Sequence, residues 1–329
     1  VTLWGPTHLV MLSGGLMTLV GVVVLFEEGV ATGNRRTDEA GRRRIELRPL
    51  AFIADLIPRV PVWPSRVLIA AGLLAGLSIY QGEFDYGVPQ FQLVLQPLMI
   101  AISAGIALVA ARVWIGPGAA LGAVVLYLLI RGGIALLVGP ILGETTPAMP
   151  LYLPEALCVE LTALVLARRP LALGAVAGLA IGTLGFAGEW PWVAAVMPLA
   201  WTDALLPEGL LFAALGGLSA GVIGALLGLA LRRELPSPRI AAPLAAGSLA
   251  VIAALFAVGL ADRNPSGARA TVALTEVAPA PEREVMATLR FDPPDLAEGA
   301  SWVQGIAWQG GSLVRVDLDE IADGVFRTP

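Results

Sequence analysis

Long apolar stretches separated by short polar segments run through the first 261 residues of the chain. A helix needs about 20 mostly apolar residues to cross a bilayer, and eight stretches approach that length. They predict spans at 3–26, 67–80, 91–111, 118–138, 151–167, 171–187, 207–231 and 240–261. The predicted fold class is therefore mainly α: a polytopic membrane helix bundle of about eight spans, formed by residues 1–261.

The composition supports this class and excludes several kinds of chemistry. The chain is 57% hydrophobic and only 14% charged, whereas soluble domains average about 25% charged residues. It contains no Lys, one Cys and one His, which excludes a Schiff base, an intrachain disulfide and a multi-histidine site. The net charge of −5 argues against nucleic acid as a partner, and the apolar spans predict contact with membrane lipid.

The connections between spans alternate between basic and acidic, which predicts the orientation. Arginines concentrate in the loop 27–66 and recur at Arg112, at Arg168 and Arg169, and at 232–239. The connections between them carry Glu and Asp instead. Because basic loops stay in the cytoplasm, we expect a bacterial inner-membrane protein whose chain start, acidic loops and tail lie outside. An outside start next to a span also predicts a cleaved or missing upstream segment.

Residues 262–329 show a different pattern, in which apolar and polar residues tend to alternate. The segments ATVALTEV, REVMATLRFD and SLVRVDLDEI predict strands of a small extracytoplasmic β domain. About 65 residues is short for a sandwich of seven strands, so an incomplete domain is one interpretation. These strands and the WQGG turn resemble small periplasmic β-sandwiches of the FixH and YtkA kind. That resemblance implies copper or cytochrome-oxidase maturation, although the tail has no His and only Met286.

Two charged residues fall inside predicted spans at matched depth. At about 1.5 Å per helical residue, Arg131 and Glu160 lie roughly 11 and 13 Å below the outer surface. Since an unpaired charge at that depth costs at least about 2.5–3.5 kcal/mol, we expect the two residues to pair. The alternatives are a proton- or ion-pathway role for Glu160, or a partner outside this chain.

Three further polar residues lie within predicted spans. Glu155 follows Pro154 and is typical of a helix-start acid, one turn from water. It lies five residues from Glu160, about 140° around a helix, so the two carboxylates do not face each other. Gln92 and Gln96 are four residues apart and are predicted to share one helical face. They either bond to a neighbouring helix or line a polar cavity.

The one histidine suggests a metal site, and no other cofactor is indicated. His8 lies near the outer end of the first span and is either an interface residue or a metal ligand. Its candidate co-ligands are Glu155 and two acids of a predicted outer turn, Glu83 and Asp85. One His with carboxylates suits iron, manganese or zinc better than copper(I).

Three hypotheses for function follow, and whether the chain is an enzyme stays open because no HExxH or P-loop motif is present. The first is an accessory or structural subunit of an outward-facing membrane complex, with other membrane subunits or a second copy as partners. The second is a transporter or channel with a polar cavity in its outer half. The third is a metal-dependent membrane enzyme or metal-delivery protein that uses copper or iron.

Overall fold

A computed structural model describes most of the chain, which divides into two compact units. The described residues are 4–39, 62–261, 267–279, 281, 284–309 and 312–329, with the side chains of 31–39, 308–309 and 312 not described. Most of the predicted arginine-rich loop 27–66 therefore lies outside them. The helical unit comprises Val1–Leu137 with Pro147–Leu260, and the β unit comprises Val138–Thr146 with Ala261–Pro329.

The described residues contain ten α-helices. They are α1 (Pro6–Glu39), α2 (Val62–Ser78), α3 (Gly82–Asp85), α4 (Leu95–Trp114), α5 (Ala119–Leu136), α6 (Leu153–Leu166), α7 (Pro170–Ala180), α8 (Phe186–Val196), α9 (Leu206–Leu231) and α10 (Pro238–Gly259). Helices α6, α7, α9 and α10 carry Pro in the first turn, where its missing N–H has no intrahelical acceptor to lose.

The described residues contain seven helical segments that are long and apolar enough to cross a membrane. They are Pro6–Val30, Val62–Asp85, Leu95–Trp114, Ala119–Ile141, Pro170–Val196, Asp203–Leu231 and Pro238–Gly259. The multi-pass helical class is therefore supported, with seven spans in place of the eight expected. The difference lies at the predicted span 151–167, where α6 has only 14 residues, about 20 Å of helix.

Glycines bring three helices into close contact at the centre of the helical unit. Gly105 of α4 lies so near α9 that an added Cβ would come within 2.7 Å of the Ala220 Cβ. Gly174 of α7 would likewise meet the Ala225 Cβ at 2.7 Å. Small-residue faces let helix backbones approach where lipid provides no hydrophobic driving force. The glycine-rich stretches 174–185 and 216–228 thus pack within this chain.

The β unit contains two antiparallel sheets. Its strands are β1 (Arg269–Ala278), β2 (Glu284–Asp292), β3 (Gln304–Gln309), β4 (Ser312–Asp317), β5 (Asp319–Ala322) and β6 (Val325–Arg327). One sheet has the order β1-β2-β6-β5, and β3 pairs with β4 in the other. Phe326 is buried and contacts Phe291 edge to face at 5.7 Å between ring centroids. The alternating pattern of the tail is confirmed as a small β region.

Candidate functional site

Helix α6 begins in the interior of the helical unit, well inside the length of its neighbour α5. Tyr152, the residue before α6, contacts Tyr127 edge to face at 5.2 Å between ring centroids. Tyr127 lies eight residues into α5, about 12 Å from the helix start. The segment Ala119–Ile141 is about 33 Å long in total. Helix α6 therefore starts roughly a third of the way along it and forms only part of a span.

Irregular backbone leads into this short helix. The peptide of Ala148 donates from its N–H to the Asp85 carbonyl oxygen at 2.9 Å. The Ala148 carbonyl in turn accepts from Arg131 Nη2 at 3.4 Å. Non-helical backbone at membrane depth is tolerated only where protein groups or a cavity satisfy its polar atoms. Pro147, Pro150 and Pro154 explain locally why the approach to α6 is extended, because proline disfavours helix before it.

Glu189 of α8 holds the last residues of that approach. Its two carboxylate oxygens accept the backbone N–H groups of Leu151, at 2.5 Å, and of Tyr152, at 3.2 Å. Tyr152 has φ 56°, in the left-handed region that non-glycine residues rarely adopt. Such conformations persist only where the surroundings impose them, and they are concentrated at functional sites. The hydrogen bonds to the buried Glu189 hold the backbone of Tyr152 in this left-handed conformation.

A cluster of hydroxyl and amide groups lies beside Tyr152. Gln81 Nε2 donates to the Tyr152 hydroxyl at 3.1 Å and to Ser78 Oγ at 3.0 Å. The Ser78 and Tyr127 hydroxyls are 3.2 Å apart. All four side chains are buried, and Gln81 Oε1 has no hydrogen-bond partner among the described residues. A buried acceptor of this kind is a ready partner for a water molecule or a protonated group.

The predicted pair between Arg131 and Glu160 is wrong, since each residue has another partner. Arg131 Nη2 lies 2.5 Å from Asp85 Oδ2, and the Asp85 side chain is fully buried. Glu160 Oε2 lies 3.0 Å from Arg112 Nε, and its Oε1 accepts the N–H of Ala120. The physical reason is the late start of α6, which moves Glu160 to the end of the unit where α4 ends and α5 begins.

Glu155, in the first turn of α6, is buried with no compensating bond. The residue is 1% exposed, and neither carboxylate oxygen accepts a hydrogen bond from another described residue. It borders a cavity of about 10 Å³, room for about one water molecule. The prediction that Glu155 starts a helix is confirmed, but that helix start is deep in the unit. Its expected position one turn from water is therefore wrong.

A π-helical turn faces this glutamate. Residues Ile181–Gly185 form the turn between α7 and α8, and Ile181 lines the Glu155 cavity. A Cβ built on Gly185 would lie 3.0 Å from Glu155 Cγ, so glycine makes room for the side chain. Single π-helical turns inside long helices are rare and frequently mark functional sites.

The two predicted glutamines do not share a helical face. Helix α4 begins at Leu95, so Gln96 lies in its first turn and Gln92 precedes it. Gln96 is buried and its Oε1 accepts from Trp201 Nε1 at 2.9 Å, but Trp201 lies in the non-helical segment between α8 and α9, so this bond is not the predicted one to a neighbouring helix. Gln96 Nε2 has no hydrogen-bond partner in the described part of the chain.

The four predicted metal ligands have separate surroundings. Glu83 and Asp85 lie in the short helix α3 rather than in an outer turn, and both are buried. Glu83 accepts the N–H groups of Trp4, at 3.4 Å, and Gln90, at 3.2 Å, whereas Asp85 faces Arg131. His8 is partly exposed on α1, and Glu155 borders its own cavity. Within the described ranges, no three His, Cys, Asp or Glu side chains are placed to bind a metal ion.

The sequence analysis missed several groups that the structure brings to this region. Glu189, Tyr127 and Tyr152 were not named, and Asp85 was named only as a candidate metal ligand, because Asp85 and Glu189 follow apolar runs and look like loop acids. Pro147 and Pro150 are the signal that could have indicated an irregular approach to α6, since proline disfavours helix in the residues before it.

Comparison with protein-family models, curated proteins and solved structures gives no match. The resemblance of the tail to FixH- and YtkA-like domains therefore stays a prediction.

Proposed function

We propose that the chain is a membrane transporter or channel whose helical unit passes protons by way of Glu155. One observation carries the proposal: a buried carboxyl group without a hydrogen-bonding partner among the described residues lies in the first turn of a short helix that starts inside the unit. Interrupted helices near the middle of a membrane are where transporters bind ions and substrates. Ionisable residues inside spans are costly and are by default candidates for function.

The size of the cavity favours the proton over larger cargo. A space of about 10 Å³ beside Glu155 accommodates about one water molecule and no organic substrate. Its other walls come from apolar side chains and an indole, including Ile100, Phe186 and Trp201. A metal cation needs several oxygen ligands, and Glu155 is the one carboxylate on this wall. A proton needs a single acceptor and a transient water.

Transfer would proceed by alternating exposure of Glu155 to the two sides. Towards the acidic end of the unit, Gln81, Tyr127 and Tyr152 supply hydroxyl and amide groups near the start of α6. Towards the arginine-bearing end, which we place in the cytoplasm, the walls of the Glu155 cavity include Ala101, Ile181 and Ala213. Access from that end therefore requires the helices to move, as in alternating access.

Proton flux into liposomes tests the proposal. Full-length protein is reconstituted, a potassium gradient with valinomycin sets the potential, and an internal dye reports pH. We expect flux with the wild-type chain and flux at the protein-free background with Glu155→Gln. The matched control Glu144→Gln, an exposed carboxylate, should keep wild-type flux. Absence of flux from folded wild-type protein, or equal flux from Glu155→Gln, would count against the proposal.

A second function, an accessory subunit of a membrane complex, is favoured by the β unit. Strand β1 is an edge strand of ten residues, nine of them exposed. Val272, Leu274 and Val277 are 57–69% exposed along it. Long apolar edge strands are templates for pairing with another chain. Purification from the native membrane in mild detergent should then recover partner subunits, and loss of those partners with Leu274→Lys would locate the contact.

A further inference from the structure

An open basin lies at the arginine-bearing end of the helical unit, and it shares no lining residue with the Glu155 cavity. Its volume is about 570 Å³, within the usual range for ligand pockets. Charged side chains from three parts of the chain line it: Glu27, Arg66, Arg232, Arg233 and Glu234. Three arginines against two glutamates leave an excess of one positive charge.

Two of the arginines are held in place by acidic partners. Arg66 makes two parallel bonds to Glu27, with Nε–Oε1 at 2.6 Å and Nη2–Oε2 at 2.7 Å. Its guanidinium also lies 5.6 Å above the centre of the Trp114 ring. Arg232 pairs with Glu234 at 3.0 Å. The paired arginines retain donors on their remaining nitrogens, because each guanidinium carries five N–H groups.

Arg233 adopts a conformation that glycine would adopt more easily. It follows the end of α9 with φ 60°, and the N–H groups of Arg233 and Glu234 bond to the carbonyls of Ala230 and Leu229. This helix-ending motif normally has Gly at the left-handed position. An arginine in the left-handed region raises the free energy of the backbone. Such a strained residue beside a charged basin indicates a role for its side chain.

A narrow apolar groove continues from the basin along the helices. It has no polar lining and a volume of only about 20 Å³, and it shares Trp114 and Leu231 with the basin. Its remaining walls include Val23 of α1, Leu73 of α2 and Ala107 of α4. Trp114 connects the two spaces, and its indole N–H has no hydrogen-bond partner among the described residues. A positively charged basin with an apolar border, at the end of a membrane helix bundle, matches the anionic head of a molecule whose hydrocarbon tails lie in lipid.

We infer that this basin binds the phosphate headgroup of an anionic phospholipid, whose acyl chains lie in the surrounding lipid. Basic pockets between membrane helices recognise such headgroups. Arg233 and the free guanidinium donors bind the phosphate oxygens. Glu155 does not line the basin, so the lipid inference can be tested separately from the proposed proton transfer.

Lipid-dependent unfolding of the full chain in neutral detergent tests the inference. Phosphatidylglycerol, phosphatidylcholine and inorganic phosphate are titrated separately, and the midpoint of thermal unfolding is followed. We expect phosphatidylglycerol to raise the midpoint at lower concentration than phosphatidylcholine. The variant Arg233→Gly relieves the backbone cost, so it should fold, but it should need about fivefold more phosphatidylglycerol for the same shift.

The control is Arg239→Gln, an exposed arginine at the start of α10 that does not line the basin. It should respond to phosphatidylglycerol like the wild type. An equal loss in Arg239→Gln, or no preference between the two lipids, would overturn the inference. Full stabilisation by inorganic phosphate alone would instead assign the basin to a soluble phosphate compound and overturn the lipid assignment.

Discussion

Two sides of the helical unit solve the problem of packing in opposite ways. Where α9 meets α4 and α7, glycines such as Gly178, Gly217 and Gly224 bring backbones together. Around the start of α6, polar groups are buried instead, and Glu155 and Gln81 keep oxygens without hydrogen-bond partners among the described residues. The close packing of the glycine side is what a stable bundle needs. The polar side is different, since stability alone gives no reason to bury an uncompensated carboxyl group.

The difference teaches where to look for function in a chain without recognised motifs. Close packing of small residues has a structural explanation, since it stabilises helix pairs in lipid. Several features around the start of α6 cost free energy. They are the helix start inside the unit, the left-handed Tyr152, the π-helical turn, and Glu155 without a hydrogen-bond partner among the described residues. Their concentration around one helix start indicates that this side is arranged for a task.

The largest effect should come from the glycine side. A Cβ at Gly178 would meet the backbone of Gly217, with its carbonyl carbon at 2.8 Å. Because two backbones cannot yield as side chains do, we expect Gly178→Val to destabilise the bundle by about 3 kcal/mol or more. Yield of monodisperse protein in detergent and its unfolding temperature measure the effect.

The matched control for that change is Gly247→Val in α10. A Cβ built there meets nothing within 4 Å, so folding should be nearly unchanged. Equal damage from both substitutions would mean that the close contact between α7 and α9 does not hold the unit together.

A smaller effect is expected from the ion pair that borders the polar side. Removing Arg131 leaves Asp85 fully buried and without its cation, a change that costs about 3 kcal/mol in comparable buried pairs. Arg131→Gln should therefore lower the unfolding temperature, and the double variant with Asp85→Asn should recover part of the loss.

A double-mutant cycle separates this pair from the one first predicted. Coupling between Arg131→Gln and Asp85→Asn should exceed about 1 kcal/mol, whereas coupling between Arg131→Gln and Glu160→Gln should be near zero. Strong coupling to Glu160 would restore the original pair and place α6 nearer the opposite end.

The smallest effect concerns a single hydroxyl group of the polar side. Tyr127→Phe removes the bond to Ser78 while keeping the ring, and should cost about 1 kcal/mol because both groups are buried. Tyr80→Phe removes an exposed bond to Ser13 and should cost clearly less. Chemical or thermal unfolding of the two variants compares them. Equal costs would show that the hydroxyl cluster adds no more than surface bonds do.

The sequence predicted most of the architecture and little of the polar site. Apolar length identified the seven long helical segments, and alternation identified the β tail, because both depend on local pattern alone. The depth of α6 could not be read from apolar length, since 151–167 is apolar whether it starts at a surface or inside. Because the start of this helix was predicted at the outer surface, Arg131 and Glu160 were predicted to lie at the same depth.

The remaining partners depend on tertiary contacts rather than pattern. Asp85 ends a helical segment begun at Val62, and Glu189 lies near the end of another, so both follow apolar runs as surface acids do. Nothing in their neighbours along the chain indicates that one faces Arg131 and the other holds Tyr152. Only Pro147 and Pro150, just before α6, point to the irregular approach.

The central claim is that Glu155 is a buried carboxyl group that holds and releases a proton. Infrared spectroscopy of the full chain in lipid at neutral pH tests it most directly, through the carbonyl stretch of a protonated carboxylic acid. The account predicts such a band in the wild type, its loss in Glu155→Gln, and its retention in Glu189→Gln, where the carboxylate accepts two backbone N–H groups. Identical spectra for wild type and Glu155→Gln would contradict it.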